Sequence, residues 1–71
     1  MNLYEMKKNT RCFIEGVPNN QLLSIFGIRP GCEICVLTRQ PFHGPIVVKH
    51  KHRNIAIDKH FALNIDVRLV N

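Results

Sequence analysis

Two spacings in this chain carry residue types that hold metals. Cys32 and Cys35 form a C-x-x-C pair, which on a turn can place two thiolates on one ion or run redox chemistry. Here the pair leads into an alternating apolar stretch, where positions three apart point to opposite faces, and Cys12 stands alone rather than completing a second pair. Thiols acting as small, half-buried hydrophobes account for the pattern better. His50 and His52 are spaced to lie on one side of a strand, a geometry that chelates a transition metal when a third ligand is near. His43 and His60 have no fixed relation to them from sequence, and Lys49, Lys51 and Arg53 raise the electrostatic cost of a divalent cation. The pair is a weak metal candidate, and no cofactor is expected. Ser24 has no partner motif, and the chain holds no Gly-rich phosphate loop of the Walker type, so no nucleophile, base and orienter assemble and an enzyme is not expected.

The remaining chemistry is charge. Ten Lys and Arg against five Asp and Glu give a formal charge of +5, and basic surfaces attract anionic partners through long-range fields. The cations are scattered, however, and only Lys49-His50-Lys51-His52-Arg53 is a cluster, at the position of a hairpin tip. Such a run reads first as a solvated turn. No aromatic is interleaved with it, as single-strand binding would require, so nucleic acid is not the expected partner.

The elements that position these residues are mostly strands. At 71 residues the chain is read as one domain with a thin core, since a domain this small buries about 60% of the surface of its unfolded chain. Cys12 and Ile14 alternate with Arg11, Phe13 and Glu15 in a first strand, and Gly16 to Asn20 breaks it. Leu22, Leu23, Ile25 and Phe26 then recur at helical spacing, with Asn19 or Asn20 as cap and Gly27 as the left-handed stop. Pro30-Gly31 turns the chain, with proline fixing the first corner and glycine supplying the positive φ of the second. Ile34, Val36 and Thr38 form the inner face of a second strand. Gln40 to Pro45 is a loop, because two prolines and Gly44 interrupt any ladder. Ile46 to His50 and Asn54 to Ile57 make a hairpin, Asp58 caps a helical turn, and Leu63, Ile65, Val67 and Leu69 mark the core face of a last strand. Met1 to Asn9 reads as a lead-in that lays a few apolar groups on the body and frays. The sum is a mostly β fold: a small barrel of about five strands, with one short helix after the first strand and a helical turn before the last.

Two places offer contact surfaces. Leu22 and Ile25 widen the apolar face of the helix beyond what a thin core needs, so both are expected to be at least half exposed and to bind a partner. Phe42, at the tip of a Pro-flanked loop, is the second candidate; the competing expectation is a ring folded back over Ile46. An exposed edge strand also offers a weak homo-oligomer. No apolar run approaches the ~20 residues of a membrane span, and Met1 to Thr10 lacks a signal-peptide core, so the chain is expected to be cytoplasmic, without direct membrane insertion.

The joint pattern Leu23-x-x-Phe26-Gly27-Ile28-x-Pro30-Gly31-x-x-Ile34-x-Val36, Gly44-Pro45-Ile46-x-Val48, Ile55-Ala56-Ile57-Asp58 and Ala62-x-x-Ile65-x-Val67 resembles the FeoA family from about Arg11 to Val70. The resemblance implies an SH3-like barrel related to the C-terminal domain of DtxR-type repressors. It also implies a non-enzymatic accessory role in bacterial ferrous iron uptake, through contact with the cytoplasmic GTPase part of the FeoB transporter. Through that partner the chain would be recruited to the inner face of the membrane. Gly27, Pro30, Gly31 and Gly44 match as fold-making positions. Two alternatives stand beside this reading: a metal-responsive regulatory module and a small basic nucleic-acid-binding barrel.

Overall fold

In a computed structural model that describes residues 1–18 and 27–70, the alternating apolar stretches become five antiparallel strands. These are β1 (Arg11–Gly16), β2 (Glu33–Arg39), β3 (Ile46–His50), β4 (Arg53–Ile57) and β5 (Asp66–Leu69), with the 3-10 turn Leu3–Glu5 before them and the short helix α1 (Lys59–Ala62) ahead of β5. The sheet order is β4-β3-β2-β1-β5. Each strand keeps one face dry: Cys12 and Ile14, Ile34 and Val36, Ile46 and Val48, Ile55 and Ile57, and Val67 all point into one core. A five-stranded sheet with a single buried face can close over that face by curling, and the near-equal extents of 27 × 26 × 24 Å are those of a coiled sheet rather than a flat one. The fold is the expected mostly β one. The sequence-assigned helix, with Leu22, Leu23, Ile25 and Phe26, lies outside the described residues.

The Pro-Gly turn is built as its residues require. Cys32 N–H donates to the Arg29 carbonyl at 3.1 Å, and Gly31 takes φ +95° and Gly27 φ +79°, left-handed values that cost an L side chain about 1–2 kcal/mol. The turn then extends the β1–β2 ladder, because Ile14 N–H donates to the Cys32 carbonyl and Gly31 N–H to the Ile14 carbonyl, both at 2.8 Å.

Three features depart from the sequence reading: one residue of β2, two leucines near β5, and the N-terminal segment. Thr38 is exposed rather than inward: Val36 faces Val48 while Thr38 faces Val47, so Leu37 is an extra residue that reverses the phase of the strand. Leu63 and Leu69 are 44% and 43% exposed, although strict alternation puts both in the core. Leu63 is helical, at φ −63° and ψ −22°, because Asp58 starts a turn whose hydrogen bonds run on through Asn64 N–H to the Phe61 carbonyl and Ile65 N–H to the Ala62 carbonyl. The strand begins only at Asp66, and Leu69 is its last residue on an outer strand, with β1 as its neighbour on one side.

The third departure is the N-terminal segment, which does not fray. Asn2 and Glu5 form a reciprocal capping box around the 3-10 turn. Leu3 N–H donates to the Ile65 carbonyl and Val67 N–H to the Met1 carbonyl, both at 2.8 Å. Leu3 is fully buried and Met6 nearly so, which makes this segment part of the core.

Candidate interaction surface

The loop between β2 and β3 is the most conspicuous surface feature. Gln40 N–H donates to the Pro45 carbonyl and Gly44 N–H to the Pro41 carbonyl, each at 3.2 Å, and the Tyr4 hydroxyl donates to the Gly44 carbonyl at 3.0 Å. Within this frame Phe42 and His43 both hold a left-handed backbone, with φ 59° and 62°, uncommon for bulky side chains. The consequence is a phenyl ring 96% exposed at the apex, not folded back over Ile46. Gly44 is set by space: a Cβ there would meet Gln40 Cβ at 2.8 Å and the Pro41 carbonyl oxygen at 3.3 Å.

Two cations flank the base of this loop. The Arg39 guanidinium lies 5.2 Å and the Lys59 ammonium 5.7 Å from the centroid of the Tyr4 ring, within the range of cation–π attraction. Lys59 Nζ also lies 3.3 Å from His43 Nδ1, within hydrogen-bond reach. Among the described residues the ion pairs are Arg11–Glu33 and Arg68–Glu15, so neither Arg39 nor Lys59 is matched to a carboxylate. The exposure expected of Phe42 is what the structure shows, whereas sequence reasoning did not single out Tyr4, Arg39 or Lys59. Residues 4, 39 and 59 share no spacing signal, and only the fold brings them together.

The other candidates are not assembled. His50 ends β3 and is 7% exposed, its Nδ1 3.5 Å from the Glu33 carbonyl oxygen, whereas His52 is exposed in the turn. The expected shared strand face fails because the hairpin register pairs His50 with Arg53 and leaves Lys51-His52 as the turn itself. Among the described residues no group of three or more His, Cys, Asp or Glu is placed to hold a metal ion. Cys32 Sγ donates to the Gly27 carbonyl at 3.3 Å, Cys35 is half-buried, and all three thiols are free. Burial, with a smaller contribution from Cys35, pushes the Cys12 thiol up to about 11, the opposite of a reactive thiolate. Leu22 and Ile25 lie outside the described residues.

A sequence model of the FeoA domain matches residues 1–69. The chain belongs to the FeoA family. Among solved structures, it is similar to an iron uptake regulatory protein (FeoA), at 31% identity and a TM-score of 0.89, covering 99% of this chain and 96% of that one. It is also similar to an iron(II) transport protein A from Clostridium thermocellum, at 31% identity and a TM-score of 0.90, over 99% of this chain and 46% of that one. A manganese-dependent transcriptional repressor shares the fold, with a TM-score of 0.90 at 17% identity, over 99% of this chain and 36% of the repressor. No curated protein sequence matches the chain. Among the described residues of this FeoA-family chain, no helix is long and apolar enough to cross a membrane.

Proposed function

We propose that this chain acts in ferrous iron transport as a non-enzymatic accessory protein, binding the cytoplasmic part of a FeoB-like GTP-dependent transporter and modulating its activity or assembly. The observation that supports this reading is the FeoA match over residues 1–69, joined to near end-to-end coverage of a solved iron uptake regulatory protein. A binding role also suits the surface chemistry, since an exposed aromatic beside unmatched cations contacts a partner but performs no bond-making step. The metal-responsive alternative draws on the repressor likeness, which concerns the fold alone, and on a histidine pair that the hairpin separates.

The test is binding of the purified protein to the detergent-solubilised FeoB of the same organism, with GTP hydrolysis followed in the same samples. Saturable association, with a changed hydrolysis rate or oligomeric state of the transporter, is the expected result. Leu22→Glu is expected to weaken it while the circular dichroism stays native. Absence of association with GTP, with GDP and without nucleotide would refute the direct-partner reading.

A further inference from the structure

Resting on the reading of the chain as a partner-binding protein, we propose which surface and what partner chemistry are used. The β2–β3 loop, with Arg39 and Lys59, docks an acidic, leucine-bearing segment of another protein, whose carboxylates pair with the two cations while its apolar side chains cover the Phe42 ring. Three observations carry this. Phe42 is 96% exposed on a loop braced by the Tyr4 hydroxyl bond and by two internal backbone bonds, so the ring is presented and not merely uncovered. Phe42 and His43 keep consecutive left-handed backbones, a conformational cost that concentrates at ligand-contacting sites. Arg39 and Lys59 stand on one tyrosine ring without a matching carboxylate among the described residues.

The acids near in sequence are already engaged. Asp58 accepts from the His60 N–H as the cap of α1, and Glu5 accepts from the Asn2 N–H within the capping box. Charge complementarity therefore asks for carboxylates from outside. Arginine held against an aromatic face keeps its planar fork directed and loses little freedom on pairing, and an aromatic anchor beside arginine is the usual composition of an interface hot spot. A lipid surface would draw on freely reaching cations around an apolar tip. Here both cations are held against Tyr4, which suits the fixed carboxylates of a protein segment.

The probe is an acetylated, amidated ten-residue peptide of alternating glutamate and leucine, titrated into 15N-labelled full-length protein, with its glutamine–leucine counterpart as control. Shift changes centred on Tyr4, residues 39–44 and Lys59 are expected for the glutamate peptide alone. Affinity is expected to fall about tenfold in Phe42→Ser and in the double variant Arg39→Ser/Lys59→Ser, and to hold in Lys51→Ser. Changes centred on Lys49 to Arg53, equal response to the glutamine peptide, no response, or insensitivity to the loop variants would each overturn the proposal. So would shifts of the loop on phosphatidylserine-containing vesicles with none on the peptide. The same variants against solubilised FeoB separate the two readings. Undiminished binding by Phe42→Ser and by Arg39→Ser/Lys59→Ser refutes this surface and leaves the partner standing, whereas a loop-specific peptide response with no transporter binding does the reverse.

Discussion

Replacing Leu3 by alanine tests whether the N-terminal segment is part of the core. Leu3 is fully buried, between the backbone bond from its own N–H to the Ile65 carbonyl and the capping box of Asn2 and Glu5, none of which involves its side chain. The substitution therefore removes buried methyl and methylene groups while leaving the polar anchors in place. Truncations of this kind cost about 2–5 kcal/mol, depending on how far the cavity collapses. A domain of this length is stable by about 4–11 kcal/mol, so a loss near 3 kcal/mol is a large share of the total. With a urea m-value of about 1 kcal/mol per molar for so small a domain, the midpoint should fall by about 3 M. Leu69→Ala is the control, because Leu69 is 43% exposed at the end of an outer strand and should cost less than about 1 kcal/mol. Equal losses for the two leucines, or a Leu3→Ala midpoint within about 0.5 M of the parent, would refute the account of the core.

Gly31→Ala should cost about 1 kcal/mol through backbone conformation alone, because φ is +95° and open space surrounds the missing Cβ; urea denaturation reads the loss, and an unchanged midpoint would contradict the assignment. Gly44→Ala should act by contact instead, since its Cβ would meet Gln40 Cβ at 2.8 Å. Its NMR spectrum should show the loop and the Tyr4 ring displaced, and an unperturbed spectrum would contradict the packing described. Cys12 should make stability fall at alkaline pH. Burial pushes its thiol up to about 11 from an ordinary value of 9.0, so its contribution is complete below pH 9 and is lost as pH rises through 11. Relative to Cys12→Ala the parent should lose about 2 kcal/mol between pH 8 and 11, and parallel profiles would contradict this. At pH 8 iodoacetamide should label Cys32 and Cys35 well before Cys12.

Most of the strand positions along the chain were legible because period-two apolar patterns are interrupted by turn residues whose backbone demands are specific. Pro30-Gly31 turns the chain into β2, and Pro41, Gly44 and Pro45 interrupt the path from β2 to β3, each for a nameable reason. Where the expectation failed, a stronger local interaction overrode the period. Asp58 capping and the bonds that follow hold Leu63 helical in the middle of an otherwise unbroken alternation. The extra residue at Leu37 reverses Thr38, and nothing in the residue types announces a bulge there. The two-residue turn takes His52 off the strand face it would have shared with His50. At the N-terminus the Asn2–Glu5 capping box went unread, and the docking of this segment through the Ile65 and Val67 backbone depends on residues 60 and more positions away. The site divides in the same way. The exposed position of Phe42 was legible from its Pro-flanked loop, whereas the Tyr4, Arg39 and Lys59 cluster exists only once the first turn, the end of β2 and the start of α1 have met.

The proposed mode of action of this chain is contact with a FeoB-like iron transporter. Its most direct test is equilibrium binding of the purified protein to the solubilised FeoB of the same organism, measured with GTP, with GDP and without nucleotide. Saturable binding in at least one nucleotide state, with the transporter's GTP hydrolysis or assembly altered in parallel, is the predicted result. No binding in any state, with hydrolysis unchanged at saturating protein, would contradict it.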